Sequence, residues 1–167
     1  GGTDTLLGGD GDDQVQGSGW LEGGAGHDRI LVATGTVAST VLGGAGNDVI
    51  ERGDWGQYNT VGALIDGGAG NDHVYLAKHD TVHFRAGDGI DRLSGANSSN
   101  TLRLEGLKVS DLQFGRQNSN YYSYTNTNNL VIGVNGQALQ NQIVIEGYYG
   151  YNYNSTQNLS LVQGRIE

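Results

Sequence analysis

The chain has 167 residues, of which 30 are glycine and none is proline or cysteine, and its formal net charge is −9. The lack of cysteine excludes disulfide scaffolds, thiolate zinc sites and cysteine nucleophiles. Because negative charge repels phosphate backbones and anionic headgroups, the composition predicts no nucleic-acid partner and no membrane-surface role, and the apolar runs are too short for a transmembrane segment.

Two halves of different composition follow one another along the chain. Residues 1–94 hold 14 of the 18 acidic residues, 5 of the 9 basic residues and 22 of the 30 glycines, whereas residues 95–167 are neutral overall. Clustered negative charge destabilises a compact state through self-repulsion, so the first half is expected to need a cation. The sequence therefore predicts two units, residues 1–94 and residues 95–167.

A glycine-rich motif recurs through the first half, with the order Gly-Gly-x-Gly-x-Asp-x-aliphatic kept in whole or in part. Its copies span residues 2–6, 8–15, 23–30, 43–50, 67–74 and 86–93. Glycine permits the backbone angles that turn carbonyl oxygens toward one point, and Ca²⁺ takes roughly six to eight carbonyl and carboxylate oxygens. Because side chains alternate along a strand, the aliphatic residue is expected to point into a core. The repeats predict a calcium-binding β-helix.

The spacing of the aspartates predicts how the loops stack. Five of them, separated by 15, 20, 24 and 19 residues, are expected to lie above one another on one side of a two-sided roll: Asp13, Asp28, Asp48, Asp72 and Asp91. Five stacked loops enclose four gaps, so about four Ca²⁺ ions are expected in one column. In the alternative arrangement each motif forms a consecutive half-turn, which would place ions on both sides.

Residues 1–93 resemble the RTX (haemolysin-type) calcium-binding repeats of proteins exported by bacterial type I secretion. The resemblance implies an all-β fold, a right-handed parallel β-roll or β-helix that is disordered without Ca²⁺ and is secreted unfolded. It also implies that the aspartate carboxylates and the carbonyl oxygens at the second and fourth loop positions bind the ions. On this sequence the implied metal ligands are Gly9, Gly11, Asp13, Gly24, Gly26, Asp28, Gly44, Gly46, Asp48, Gly68, Gly70, Asp72, Gly87, Gly89 and Asp91.

The second half favours short β-strands in place of glycine loops. Residues rich in β-branched and aromatic side chains alternate with polar ones at 101–105, 111–116, 129–134 and 142–146. Residues 100–149 resemble the segment that closes RTX arrays in haemolysins and adenylate cyclase toxins. Because a solenoid ends in an open apolar cross-section with unpaired strand edges, residues 95–167 are predicted to form a β capping segment.

Tyrosine and asparagine cluster in residues 117–129 and again in residues 148–154. A flat ring beside amide groups suits contact with a sugar, although a polar hairpin tip has the same composition. The alternative function is therefore a module that binds a polysaccharide or cell-surface glycan through Tyr121, Tyr122 and Tyr124, as in RTX modules of polysaccharide-modifying enzymes and adhesins.

The sequence contains no recognisable catalytic motif. His79 and His83 have the H-x-x-x-H spacing of a zinc protease, but that motif requires a helix and the flanking residues favour strands. His27 and His73 are expected to be solvated. We therefore expect a non-enzymatic, monomeric calcium-binding module of a larger secreted bacterial toxin, adhesin or hydrolase, which meets the type I secretion machinery through its parent protein.

Overall fold

The computed structural model describes residues 4–33, 37–53, 61–118, 128–136, 140–149 and 160–163. Within these ranges the chain forms fifteen β-strands and one 3-10 turn at Val109–Asp111. The strands are β1 (Asp4–Asp10), β2 (Gln14–Gly17), β3 (Gly19–Ala25), β4 (Arg29–Val32), β5 (Thr40–Ala45), β6 (Val49–Arg52), β7 (Leu64–Ala69), β8 (His73–Tyr75), β9 (Thr81–Arg85), β10 (Ile90–Ser94), β11 (Thr101–Glu105), β12 (Leu112–Asn118), β13 (Asn128–Val134), β14 (Gln142–Tyr149) and β15 (Ser160–Gln163). No described helix has the length and apolarity needed to cross a membrane.

The strands form two sheets, and the chain passes from one sheet to the other along the repeats. Sheet A has the order β1-β3-β5-β7-β9-β11-β15, and sheet B has the order β12-β13-β14-β10-β8-β6-β4-β2. Successive repeat strands pair in parallel within each sheet. The predicted all-β parallel roll is therefore confirmed.

A thin aliphatic core lies between the two sheets. Strand pairing aligns the aliphatic motif residues of sheet B in one column, and each is at most 7% exposed: Val15, Ile30, Ile50, Val74 and Leu93. A facing column in sheet A contains Leu21, Val41, Ile65, Val82 and Leu102. The expectation that the residue two positions after each aspartate points inward is thus confirmed, and burial of this surface drives the stacking of the coils.

The roll has two edges of different character. Turns from sheet A to sheet B carry the glycine motifs at residues 8–13, 23–28, 43–48, 67–72 and 86–91, and we call this side the glycine edge. Turns from sheet B back to sheet A follow β2, β4, β6, β8 and β10, and we call that side the far edge. Asp13, Asp28, Asp48, Asp72 and Asp91 all lie on the glycine edge. Their unequal spacing in the sequence therefore arises from the unequal length of the far-edge turns.

Strands occur at all four positions expected in the second half of the chain. Strands β12, β13 and β14 form an antiparallel meander, and β14 joins sheet B in parallel beside β10. Strand β11 pairs in parallel with β9, and β15 lies beside β11. The second half therefore extends both sheets of the roll, and a domain boundary between residues 94 and 95 stays a prediction.

Candidate metal centre

The aspartates of the glycine edge form a continuous hydrogen-bonded ladder. In each step the carboxylate Oδ1 of one aspartate accepts the main-chain N–H of the aspartate in the preceding coil. The distances are 2.8 Å from Asp13 N to Asp28, 2.8 Å from Asp28 N to Asp48, 2.8 Å from Asp48 N to Asp72 and 3.1 Å from Asp72 N to Asp91. The ladder fixes one carboxylate oxygen of each acceptor and stacks all five aspartates on one side of the roll.

The other carboxylate oxygen is left without a partner in four of the five aspartates. The Oδ2 atoms of Asp13, Asp28, Asp48 and Asp72 are buried and accept no hydrogen bond. Burial of an anionic oxygen is costly unless a donor or a cation compensates for it. These orphaned oxygens fit a hard cation such as Ca²⁺, which prefers oxygen ligands.

The glycines bring carbonyl oxygens into the same column. A Cβ added at the second motif position, on Gly44, would overlap the carbonyl oxygen of Gly24, and one at the fourth position, on Gly46, would overlap that of Gly26. Both glycines have positive φ, 115° and 130°, which side-chain-bearing residues rarely adopt. Only glycine therefore lets these carbonyls approach the next coil so closely.

The first motif position contributes a further carbonyl that the sequence-based ligand set does not contain. A Cβ added to Gly43 would meet both Asp48 Oδ2 and the carbonyl oxygen of Gly67. The orphaned carboxylate oxygen and a carbonyl of the next coil therefore flank the same small space. The same pair of oxygens flanks the first glycine of the first three loops, Gly8, Gly23 and Gly43, and both kinds of oxygen are ligands that Ca²⁺ takes.

A second ladder follows the outside of the glycine edge through the fifth motif position. Asp12 Oδ1 accepts His27 N–H at 2.7 Å, His27 Nδ1 accepts Asn47 N–H at 2.7 Å, and Asn47 Oδ1 accepts Asn71 N–H at 2.8 Å. His27 is exposed, as expected, and its ring nitrogen is in addition an acceptor in this ladder. The sequence signal was present, since each of these positions carries a side chain with an acceptor atom.

The buried carboxylates are electrostatically strained when no cation compensates for them. Burial raises the pKa of Asp72 to about 6, and repulsion from Asp48 adds to the shift. Burial raises the pKa of Asp91 to about 8, and repulsion from Asp72 adds to that shift. Burial likewise raises the pKa of Asp48, and Asp28 adds to the shift. A divalent ion between neighbouring carboxylates would remove this repulsion.

The aspartate stack ends where the second half of the chain packs against it. Strand pairing places Ile143, which is 1% exposed, beside Asp91 in the position of a next aspartate. The carbonyl oxygen of Gly89 accepts the N–H of Gln142 at 2.8 Å, and the N–H of Gly87 is bound by the Asn141 side chain at 2.8 Å. The five loops therefore enclose four gaps and no fifth one beyond Asp91.

The predicted ligands of the first four loops stack in one column, and the fifth loop continues this column with only some of its residues. A Cβ added to Gly89 would overlap the carbonyl oxygen of Gly70, as a Cβ at the fourth position of the second, third and fourth loops overlaps that of the preceding coil, whereas one added to Gly87 would meet no atom within 4 Å. Gly89 and Asp91 thus continue the column, and Gly87 departs from it.

The remaining histidines do not form a metal site together. His79 lies in a far-edge turn with φ of 65°, while His83 lies on β9 with Nδ1 2.8 Å from Glu105. His73 is half-buried, with Nε2 2.8 Å from Ser94 Oγ, so it is solvated only in part. Across the described part of the chain, no three histidine or acidic side chains converge as metal ligands. Tyr121, Tyr122 and Tyr124 lie outside the described residues.

Comparison with known proteins agrees with the geometry of the glycine edge. The family model of the RTX calcium-binding nonapeptide repeat matches four copies, at residues 1–19, 16–36, 38–54 and 64–78. None of the curated proteins matches the chain. Such repeats bind Ca²⁺, and four of them fit about four ions. Residues 1–78 of this chain therefore carry four RTX calcium-binding nonapeptide repeats.

Proposed function

We propose that the chain is a non-enzymatic module that folds when it binds Ca²⁺ outside the cell and so supports type I secretion and stability of a larger bacterial toxin, adhesin or hydrolase. The four buried, unpartnered Oδ2 atoms carry the proposal. Without a cation the stacked carboxylates repel one another and lose hydration, so the roll is disfavoured. With Ca²⁺ bound, the binding free energy becomes folding free energy.

The ion ligands that we assign are the aspartate carboxylates of the ladder with the glycine carbonyls that stack beside them. They comprise Gly9, Gly11, Asp13, Gly24, Gly26, Asp28, Gly44, Gly46, Asp48, Gly68, Gly70 and Asp72, followed by Gly89 and Asp91 of the last loop. Ca²⁺ supplies positive charge at each gap. The chain supplies oxygens held in place by the two ladders and by strand pairing.

Residues 95–167 close the roll in this proposal. Asn141 and Gln142 satisfy main-chain groups of the last glycine loop, and Glu146 binds Arg92 and Ser94 of the neighbouring strand. Because these contacts cover the edge of β10 and the end of the aspartate stack, the cap is expected to stabilise the last coil.

The test is a calcium titration followed by far-UV circular dichroism, with Mg²⁺ as the control ion. We expect a cooperative transition from coil to β-structure with Ca²⁺ and none with Mg²⁺ at the same concentration, because Mg²⁺ demands a tighter octahedral shell. A chain that is already fully β-structured in chelator would refute calcium-driven folding.

A matched pair of variants distinguishes the loss of an ion ligand from the loss of one negative charge. Asp28→Asn removes a carboxylate from the column, while Asp4→Asn removes an exposed carboxylate from the same half of the chain. We expect Asp28→Asn to raise the calcium midpoint and Asp4→Asn to leave it nearly unchanged. Equal shifts in the two variants would assign the effect to net charge alone.

A further inference from the structure

A second buried aspartate links coils on the far edge, away from the glycine motifs. Asp80 is fully buried, and its two oxygens accept main-chain N–H groups from Ala63 at 2.7 Å and from Ala77 at 2.8 Å. Ala63 precedes β7, whereas Ala77 belongs to the turn before β9. One carboxylate therefore joins the main chains of two successive coils, as each ladder aspartate does on the glycine edge.

The charge of this aspartate is matched by a buried side chain of the protein. Arg52, at the end of β6, is 7% exposed, and its Nε lies 3.6 Å from Asp80 Oδ2. Its terminal NH₂ group donates to the carbonyl oxygen of Val61 at 3.4 Å. The guanidinium thus lies between the carboxylate and the carbonyl of Val61, and at 3.6 Å its Nε forms an ion pair with Asp80 without a hydrogen bond.

The buried carboxylates of the two edges therefore differ in the cation that can compensate for their charge. On the glycine edge the aspartates that link the coils keep orphaned oxygens, which fit Ca²⁺. On the far edge the linking aspartate meets a guanidinium. We propose that Arg52 and Asp80 form a built-in clasp in which arginine takes the place of a metal ion, and that the clasp positions β7 after the 54–60 segment so that the Asp72 loop enters the calcium column in register.

The clasp predicts a large loss of stability when one partner is removed. Arg52→Met leaves a buried carboxylate without its cation, and loss of one partner of a buried pair is strongly destabilising. In saturating Ca²⁺ we expect Tm to fall by roughly 10 °C. Asp80→Asn is expected to do the same, because it leaves the guanidinium buried without a counter-charge and removes the acceptor of one of the two main-chain N–H groups.

A double-variant cycle tests the pairing itself. Arg52→Met with Asp80→Asn removes both buried charges, so the double variant should lose clearly less than the sum of the single losses. The matched control is Arg29→Gln, which breaks an exposed pair between Arg29 and Glu51 on sheet B. Because exposed pairs contribute little, its Tm should change by no more than about 2 °C.

Calcium stoichiometry, measured by equilibrium dialysis on the folded variants, separates the clasp from a metal site. Arg52→Met and Asp80→Asn break the same pair, so the two variants should bind the same number of Ca²⁺ ions. Loss of an ion in Asp80→Asn that Arg52→Met does not show would identify Asp80 as a calcium ligand and overturn the proposal. Additive losses in the cycle, or single losses as small as that of Arg29→Gln, would overturn it as well. The Tm measurements are made in saturating Ca²⁺, so the clasp is judged independently of whether the calcium-free chain is folded.

Discussion

Asp48→Asn separates the hydrogen-bonding role of the aspartate ladder from its ion-binding role. Asparagine retains an Oδ1 that can accept Asp28 N–H, which lies 2.8 Å from the aspartate oxygen, but it replaces the orphaned Oδ2 with an amide NH₂ that cannot bind a cation. When free Ca²⁺ is at 100 times the Kd of one site, binding at that site adds about 2.7 kcal/mol to the free energy of unfolding. For a chain of this size, that loss lowers Tm by roughly 5–10 °C in Ca²⁺.

The effect should change sign when calcium is removed. Burial and the neighbouring Asp28 raise the pKa of Asp48, so its charged form opposes folding of the metal-free chain, and a neutral amide removes that opposition. In chelator the variant should therefore have at least as much β-structure as the unaltered chain. Asp48→Ala is the matched comparison: it also leaves the buried Asp28 N–H without an acceptor, which costs a further ~1–3 kcal/mol.

The assay combines thermal denaturation in Ca²⁺ with far-UV circular dichroism in chelator and a count of bound ions. If Asp48 Oδ2 binds an ion, Asp48→Asn should bind at least one ion fewer and be less stable in Ca²⁺, but should lose no β-structure in chelator. A variant that is destabilised equally in both conditions would show that the carboxylate is a structural hydrogen-bonding group only.

Three further predictions follow from the same column and its end. In chelator, the folded fraction should fall as pH rises from about 4 to about 8. The folded chain retains protons on Asp72 (pKa about 6) and Asp91 (pKa about 8) that the unfolded chain releases near 3.8. Far-UV circular dichroism in chelator at pH 5 and pH 8 checks the sign, and more β-structure at pH 8 would contradict it. Gly46→Ala should lower Tm more than Gly9→Ala: both residues have positive φ, but only the Cβ at Gly46 meets a carbonyl oxygen, so equal losses in thermal melts would argue against tight stacking. Asn141→Ala should lower the free energy of unfolding by ~1–3 kcal/mol, because it leaves Gly87 N–H without its acceptor. Asn135→Ala, on the exposed side of the cap, should lower it less in the same thermal denaturation. The reverse order would refute the role of Asn141 in closing the column.

The glycine edge was predictable because its signal is periodic. The motif gives the turn, the ligand chemistry and the strand that follows, and the aliphatic residue after each aspartate identifies the core face, as Ile30 and Ile50 show. The intervals between aspartates also predicted one column rather than two. Local rules suffice here because every coil repeats the same contacts with its neighbour.

The fifth-position ladder and the Arg52–Asp80 pair could not be predicted in this way, because the repeat pattern does not mark the residues that form them. The fifth-position ladder was overlooked because Asp12, His27 and Asn47 differ in residue type and share only an acceptor atom. The pairing of Arg52 with Asp80 joins two irregular turns 28 positions apart, where neither spacing nor composition marks a partner. Only the three-dimensional course of the far edge brings these groups together.

The confinement of length variation to one edge has a practical consequence. Neighbouring strands lie about 4.8 Å apart whatever the number of residues in a coil, so the ions keep their spacing while the far-edge turns change in length. The interval from Asp48 to Asp72 is nine residues longer than that from Asp13 to Asp28. Both pairs nevertheless make the same hydrogen bond, with 2.8 Å between the main-chain N of the first aspartate and Oδ1 of the second. The far-edge turns other than the one that holds Asp80 are therefore natural positions for grafting foreign peptides, which would be displayed at regular intervals along the roll.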